Sequence, residues 1–190
     1  MHRHYKIYKP YGYLSQFVTN QKNAGKFKLL GELYDFPDGV MAVGRLDKDS
    51  EGLLLLTTNG KLSTKITAGN SEKEYYVQVD GRITGEAINK LQKGVEISIY
   101  GKAYQTLECK VKELADRPVF PERAKKIRDE RHGPTSWISI SLTEGKFRQV
   151  KKMTAAVGFP TLRLVRVRIG NEELENMDAG EVRELTKVDL

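Results

Sequence analysis

The chain contains a single cysteine, Cys109, and three histidines. That scarcity excludes a disulfide framework and a cysteine metal cluster. No run approaches the ~20 apolar residues of a membrane-spanning helix. The opening residues, MHRHYKIYK, lack the apolar core of a secretory leader. There is no glycine-rich nucleotide loop, no fixed-period repeat and no low-complexity tract. These absences lead us to expect a soluble cytoplasmic protein.

What is present in excess is positive charge, +7 over 190 residues. Its distribution matters more than its total. Between Arg123 and Lys152 stand nine basic residues, Arg123, Lys125, Lys126, Arg128, Arg131, Lys146, Arg148, Lys151 and Lys152, against three acids, Asp129, Glu130 and Glu144. Such concentration points to a phosphate-rich partner. The length suits one domain, in two lobes at most, able to bury a real core.

Apolar periodicity predicts strands at Lys6–Tyr8, Val40–Val43, Leu53–Thr57, Tyr75–Val79, Val95–Tyr100, Tyr104–Leu114, Trp137–Thr143 and Leu162–Ile169. Helices are predicted over Lys26–Leu33, with Leu29, Leu30 and Leu33 on one side, and over Lys61–Thr67. A further helix is N-capped by Thr84 and ended by Gly94, and another covers Arg148–Val157. Residues Asp116–Pro134, with their prolines and charges, predict a long loop with one helical turn. Strands outnumber helices and several connections look like hairpins. The class is α+β with a mixed, largely antiparallel sheet and flanking helices.

Two stretches carry the chemistry. In GRLDKDSEGLLLLTTNG, Asp47, Asp49 and Glu51 precede four leucines. A calcium loop is a poor fit, because its twelfth position, where a bidentate Glu belongs, is Thr58. A solvated turn suits Asp49 and Glu51. It suits Asp47 less well, since that residue follows an apolar strand at the rim of a core, where a carboxylate wants a cationic partner. In LTEGKFRQVKKM, a strand passes through Gly145 into a helix. One face of that helix carries Val150, Met153 and Val157, the other Arg148, Lys151 and Lys152. On spacing alone a solvated basic face and a phosphate-binding stripe both remain open.

Taken together, KPYG (Lys9–Gly12), the GRLDKDSEGLLLL stretch, KEYYV (Lys73–Val77), LTEGKFRQVKKM and RLVRVRIGNEEL followed by Gly180 resemble the pseudouridine synthases of the RsuA-like branch, which modify ribosomal RNA. The resemblance implies a fold in two lobes, here roughly 1–68 and 69–190, with the active site in the cleft between them. Many members carry an extra N-terminal S4-type RNA-binding domain. This chain is expected to be the catalytic domain alone, over 1–190, so that RNA grip falls to the segment 123–152.

The implied substrate is one flipped uridine of large-subunit ribosomal RNA, isomerised without cofactor or metal. The lack of a heptad pattern or an obvious sticky edge leads us to expect a monomer. The resemblance makes Asp47 the catalytic carboxylate and Arg148 the arginine that pairs with it and keeps it ionised. Tyr75 becomes the tyrosine that packs on the target base, and Leu164 an apolar lining residue. Arg45 helps hold the flipped nucleotide, with Lys146, Lys151, Lys152, Arg128 and Arg131 as RNA-binding residues. The rival expectation from another class is a non-catalytic ribosomal RNA-binding or assembly factor, which needs the basic surface but not Asp47, Arg148 and Tyr75 together.

Overall fold

The computed structural model describes residues 2–20, 24–68 and 71–188. The chain divides into two compact units, one of Met1–Ser71, Pro121–Lys125 and Val165–Leu190, the other of Glu72–Phe120 and Lys126–Leu164. The lobe boundary expected at 68–69 abuts residues 69–70, which lie outside the described residues.

In the first unit, strand β1 (His4–Lys9) pairs antiparallel with β3 (Glu51–Thr57) and with β11 (Val182–Leu185). Strand β2 (Met41–Val43) also pairs with β3, and β10 (Glu172–Glu173) with β9 (Thr161–Ile169), a strand that begins in the second unit and ends in the first. Every residue of β3 is buried, so the four leucines Leu53–Leu56 are covered on both faces. That is why this segment is apolar throughout and does not alternate. On one face Leu54 and Leu56 pack with Tyr5, Ile7 and Leu30, and Phe17, Leu33 and Phe36 close over them. Helix α1 (Gly60–Ala68) follows β3 and buries Ile66.

β3 also meets β9 in parallel, with Glu51 opposite Val165 and Gly52 opposite Arg166. Here the backbones approach too closely for a side chain. Gly52 has φ +103°, and a Cβ on it would lie 2.3 Å from the Arg166 carbonyl oxygen. Glycine is the residue that tolerates both conditions.

In the second unit, β4 (Lys73–Asp80) pairs antiparallel with β8 (Thr135–Leu142), and β8 with β7 (Lys110–Glu113). Helix α2 (Gly85–Lys93) starts at Thr84, whose hydroxyl accepts from the Ala87 N–H, and ends at Gly94. This matches the capping residues read from the sequence. Strands β5 (Glu96–Ile99) and β6 (Lys102–Gln105) form a separate hairpin, and α3 (Gln149–Ala156) buries Val150 and Met153. The α+β class with a largely antiparallel sheet is as expected.

Two expected elements differ. Lys26–Leu33 forms no continuous helix. It holds short 3-10 turns at Ala24–Lys26 and Leu30–Glu32. Its backbone bonds go to the extended segment before it, Leu14 N–H to Lys28 O and Leu30 N–H to Gln16 O, so tertiary partners override helical periodicity. The strand expected over Tyr104–Leu114 is broken between β6 and β7. There the chain folds around the end of α2, with Thr106 N–H bonded to Val95 O and Cys109 N–H to Gln92 O. The loop expected over Asp116–Pro134 is present, with one 3-10 turn at Glu130–His132.

Gly52→Ala should destabilise the protein by roughly 3 kcal/mol, from steric overlap together with a strained φ. Chemical denaturation checks this, and an unchanged midpoint would contradict it.

Candidate active site

Asp47 sits in the seven-residue loop that joins β2 to β3. The arms are in register, Met41 opposite Thr57 and Val43 opposite Leu55, so the loop hangs between two fixed ends. Leu46 anchors it from within, at 7% exposure. The buried Ser15 hydroxyl accepts from the Leu46 N–H and donates to the Leu46 carbonyl, each at 2.9 Å. One side chain therefore satisfies both backbone groups of the residue preceding Asp47. The Asp47 carbonyl accepts from the Ser50 N–H at 3.0 Å, closing the turn.

The KPYG turn is fastened to the same loop. The fully buried Lys9 ammonium donates to the carbonyls of Pro10 at 2.9 Å and Tyr13 at 2.8 Å, and reaches that of Lys48 at 3.5 Å, while the Gly12 N–H donates to Lys48 O at 2.8 Å. A buried ammonium is tolerated only when its donors are met in this way. From beneath, the buried Arg166 guanidinium donates to Leu53 O at 2.8 Å and reaches Arg45 O at 3.5 Å. Asp47 is half-buried in this frame, and Arg45, two residues earlier, is exposed.

Glu51 departs from the turn-solvating role expected of it. It begins β3, is 2% exposed, and accepts a long 3.4 Å hydrogen bond from the Tyr8 hydroxyl. Among the described residues no three His, Cys, Asp or Glu side chains converge as metal ligands.

The other candidate residues belong to the second unit. Tyr75 lies on β4 opposite Ile140, 9% exposed, on one face with the fully buried Val77 and Val79. Leu164, at 4% exposure, sits on β9. Arg148 caps the start of α3 in a left-handed conformation, φ 52° and ψ 32°. A non-glycine residue held there is strained and persists only where its surroundings over-determine it.

Glu144 fixes the loop that leads into α3. Its carboxylate accepts from the Tyr104 hydroxyl, from the Leu107 N–H at 2.9 Å and from the Gln149 side-chain amide at 2.7 Å. The amide oxygen of the buried Gln149 in turn accepts from the Lys146 N–H at 3.0 Å. Glu144 and Gln149 thus bracket Arg148 on both sides. The bond to Glu144 also raises the pKa of Tyr104 above that of an ordinary phenol.

The basic residues of this unit are placed unequally. Lys146 is exposed, its ammonium over the Tyr104 ring at 4.8 Å. Lys151 and Lys152 are half-buried on α3, and Lys152 donates to Ser98 O at 2.6 Å. Arg128 closes the long loop, bonding Asp80 and the carbonyls of Gly133 at 2.7 Å and Pro134 at 3.1 Å. Arg131 is paired with Asp129 on the surface and is 87% exposed. Asp129 is held below the usual carboxylate range, chiefly by its hydrogen bond from Arg131.

Sequence reasoning gave no part to Ser15, Arg166, Glu144 or Gln149. Glu144 and Gln149 flank Arg148 within a single motif, and that spacing was the available signal. Ser15 and Arg166 act on the Asp47 loop from 31 and 121 residues away, and no local pattern points to them.

The first unit thus presents a half-buried carboxylate on a loop fixed between two strands, and the second holds an arginine at a strained helix start. The chain matches the RNA pseudouridylate synthase family over residues 3–156 and belongs to it. It is 43% identical over 179 residues to ribosomal large subunit pseudouridine synthase E of Vibrio parahaemolyticus, covering 93% of this chain and 71% of that protein. The protein of the same name from Xanthomonas axonopodis pv. citri is 41% identical over 169 residues, 88% of this chain and 85% of that one. A crystal structure of a pseudouridylate synthase superposes with a TM-score of 0.77 at 26% identity, over 98% of this chain and 71% of that one. Human RNA pseudouridylate synthase domain containing 1 shares the fold, with a TM-score of 0.55 at 14% identity, over 98% of this chain and 80% of that one.

Glu144→Ala removes the anchor of the 143–149 loop, so amide hydrogen exchange there should accelerate about tenfold or more. Unchanged exchange, read by mass spectrometry, would contradict the anchoring role. Cys109 donates its S–H to Leu91 O at 3.2 Å, and burial, with Glu144 adding, pushes its thiol up to about 11. Because the thiolate is the reactive form, alkylation should be slow at neutral pH and climb as the pH rises toward that value. A rate that levels off near pH 8 would contradict it.

Proposed function

We propose that this protein converts a uridine of large-subunit ribosomal RNA into pseudouridine, with Asp47 as the reacting carboxylate. The observation that carries this reading is the fixed presentation of Asp47 on the Gly-Arg-Leu-Asp loop, clamped by Ser15 at Leu46 and by Lys9 at Lys48. The names of the relatives, which align over most of both chains, support the choice of RNA.

The reaction breaks the N1–C1′ bond, turns the uracil, and rejoins it to the sugar through C5. The C5 proton is lost and N1 gains one, so no atom or electron is exchanged overall and no redox cofactor or group donor is needed. Asp47 acts in its ionised form, whether by attack on C1′ or by removing a sugar proton. Arg148, at the head of α3, is the arginine that this reading assigns to Asp47. Tyr75 packs on the turning base and Leu164 lines its pocket. Arg45, exposed beside Asp47, holds the flipped nucleotide, since extraction from a stack costs a few kcal/mol that phosphate contacts offset.

Lys146, Lys151 and Lys152 grip neighbouring phosphates. Arg131 joins them by exchanging its surface partner Asp129 for phosphate, because an exposed ion pair is worth at most about 1 kcal/mol. Arg128 holds the long loop that carries Arg131. The protein acts as a monomer in the cytoplasm.

The test is release of tritium from uridine labelled at C5 in unmodified large-subunit ribosomal RNA. Wild type should release it equally with and without EDTA. Asp47→Asn should fall by about 10³-fold or more while binding RNA within a few-fold of wild type. Tight binding without release by wild type would favour a non-catalytic RNA-binding protein.

A further inference from the structure

We infer that the tip of the β5–β6 hairpin and the loop before α3 form a stacking platform for an unpaired base near the target uridine. This rests on the RNA substrate proposed above. Ile99 pairs with Lys102, so only Tyr100 and Gly101 make the turn, and both have positive φ, 49° and 80°. Such a turn favours Asn or Gly at its first position, and a bulky aromatic residue there is an outlier.

Burial does not account for that tyrosine, which is 81% exposed. Its ring instead stacks on Phe147, centroids 5.5 Å apart and planes 16° from parallel, and Phe147 is itself 49% exposed. The pair is held in place from the helix side. Lys152 lies 5.1 Å over the Phe147 ring and ties α3 to the hairpin through Ser98 O.

Two exposed, near-parallel rings bordered by Lys146 and Lys152 present a flat π-surface with cations beside it. That combination fits a nucleobase and its adjoining phosphates, the base extending the stack on Tyr100. The position agrees, because Phe147 immediately precedes Arg148. A protein partner would favour apolar surroundings, and the rim here is lysine.

The experiment measures binding of a large-subunit ribosomal RNA transcript over a range of salt for wild type, Phe147→Ala, Phe147→Trp, Tyr100→Asn and Lys146→Ala. Melting temperatures and tritium release are followed alongside. Asparagine suits the left-handed backbone, so Tyr100→Asn removes the ring and keeps the turn. Phe147→Ala and Tyr100→Asn should each weaken binding by about tenfold with unchanged salt slope, since stacking displaces no counterions. Phe147→Trp should bind like wild type, and Lys146→Ala should flatten the slope.

Affinity within about twofold of wild type for both ring-removing variants, with wild type still releasing tritium, overturns the platform, leaves the isomerase standing, and assigns the pair to a protein contact. A loss that tryptophan fails to restore, or that tracks a lower melting temperature, assigns the rings to folding and also overturns it. Wild type that neither binds nor turns over RNA removes both readings.

Discussion

The close parallel contact of β3 and β9 at Gly52 is the constraint on which the Asp47 loop depends. It brings the Arg166 backbone against β3 one residue into the strand, where a Cβ would meet the Arg166 carbonyl oxygen at 2.3 Å. The same contact delivers the Arg166 side chain to the carbonyl of Leu53 and toward that of Arg45. Both ends of the loop are therefore referred to β9, and the leucine run behind it is sealed on both faces. With its ends fixed, the loop has little conformational freedom.

Buried polar groups do the remaining positioning. Ser15, Lys9 and Arg166 serve backbone carbonyls of the Asp47 loop or its edges, and Glu144 with Gln149 serves the loop of Arg148. Each of these groups would be costly to bury alone, so each is tolerated only in the geometry where its partner waits. Asp47 and Arg148 are thus each carried, in their own units, on segments that hydrogen bonds hold, while apolar packing supplies the stability. The left-handed backbone of Arg148 shows what such a network can hold in place.

Much of this was readable from the chain. The leucine run declared β3, Thr84 and Gly94 marked the ends of α2, and the prolines of Asp116–Pro134 marked a loop. Asp47 was placed on a loop between two strands, and it lies there. The failures share a cause. Leu29, Leu30 and Leu33 have helical spacing, yet their segment bonds to residues 13–16; Leu107 has strand spacing, yet its N–H bonds to Glu144. Glu51 looked like a turn residue because nothing local announces Tyr8 beside it. Periodicity reports which side of an element faces the core. It does not report where a backbone group finds a partner 31 or 121 residues away, as Leu46 and Arg45 do.

We propose that Asp47, held in this frame, makes pseudouridine in large-subunit ribosomal RNA. The most direct measurement is to treat an unmodified transcript with wild type or with Asp47→Asn, and to map pseudouridine by carbodiimide labelling and primer extension. Wild type should give a discrete new stop and Asp47→Asn none. The same stop with Asp47→Asn, or none with wild type, would contradict it.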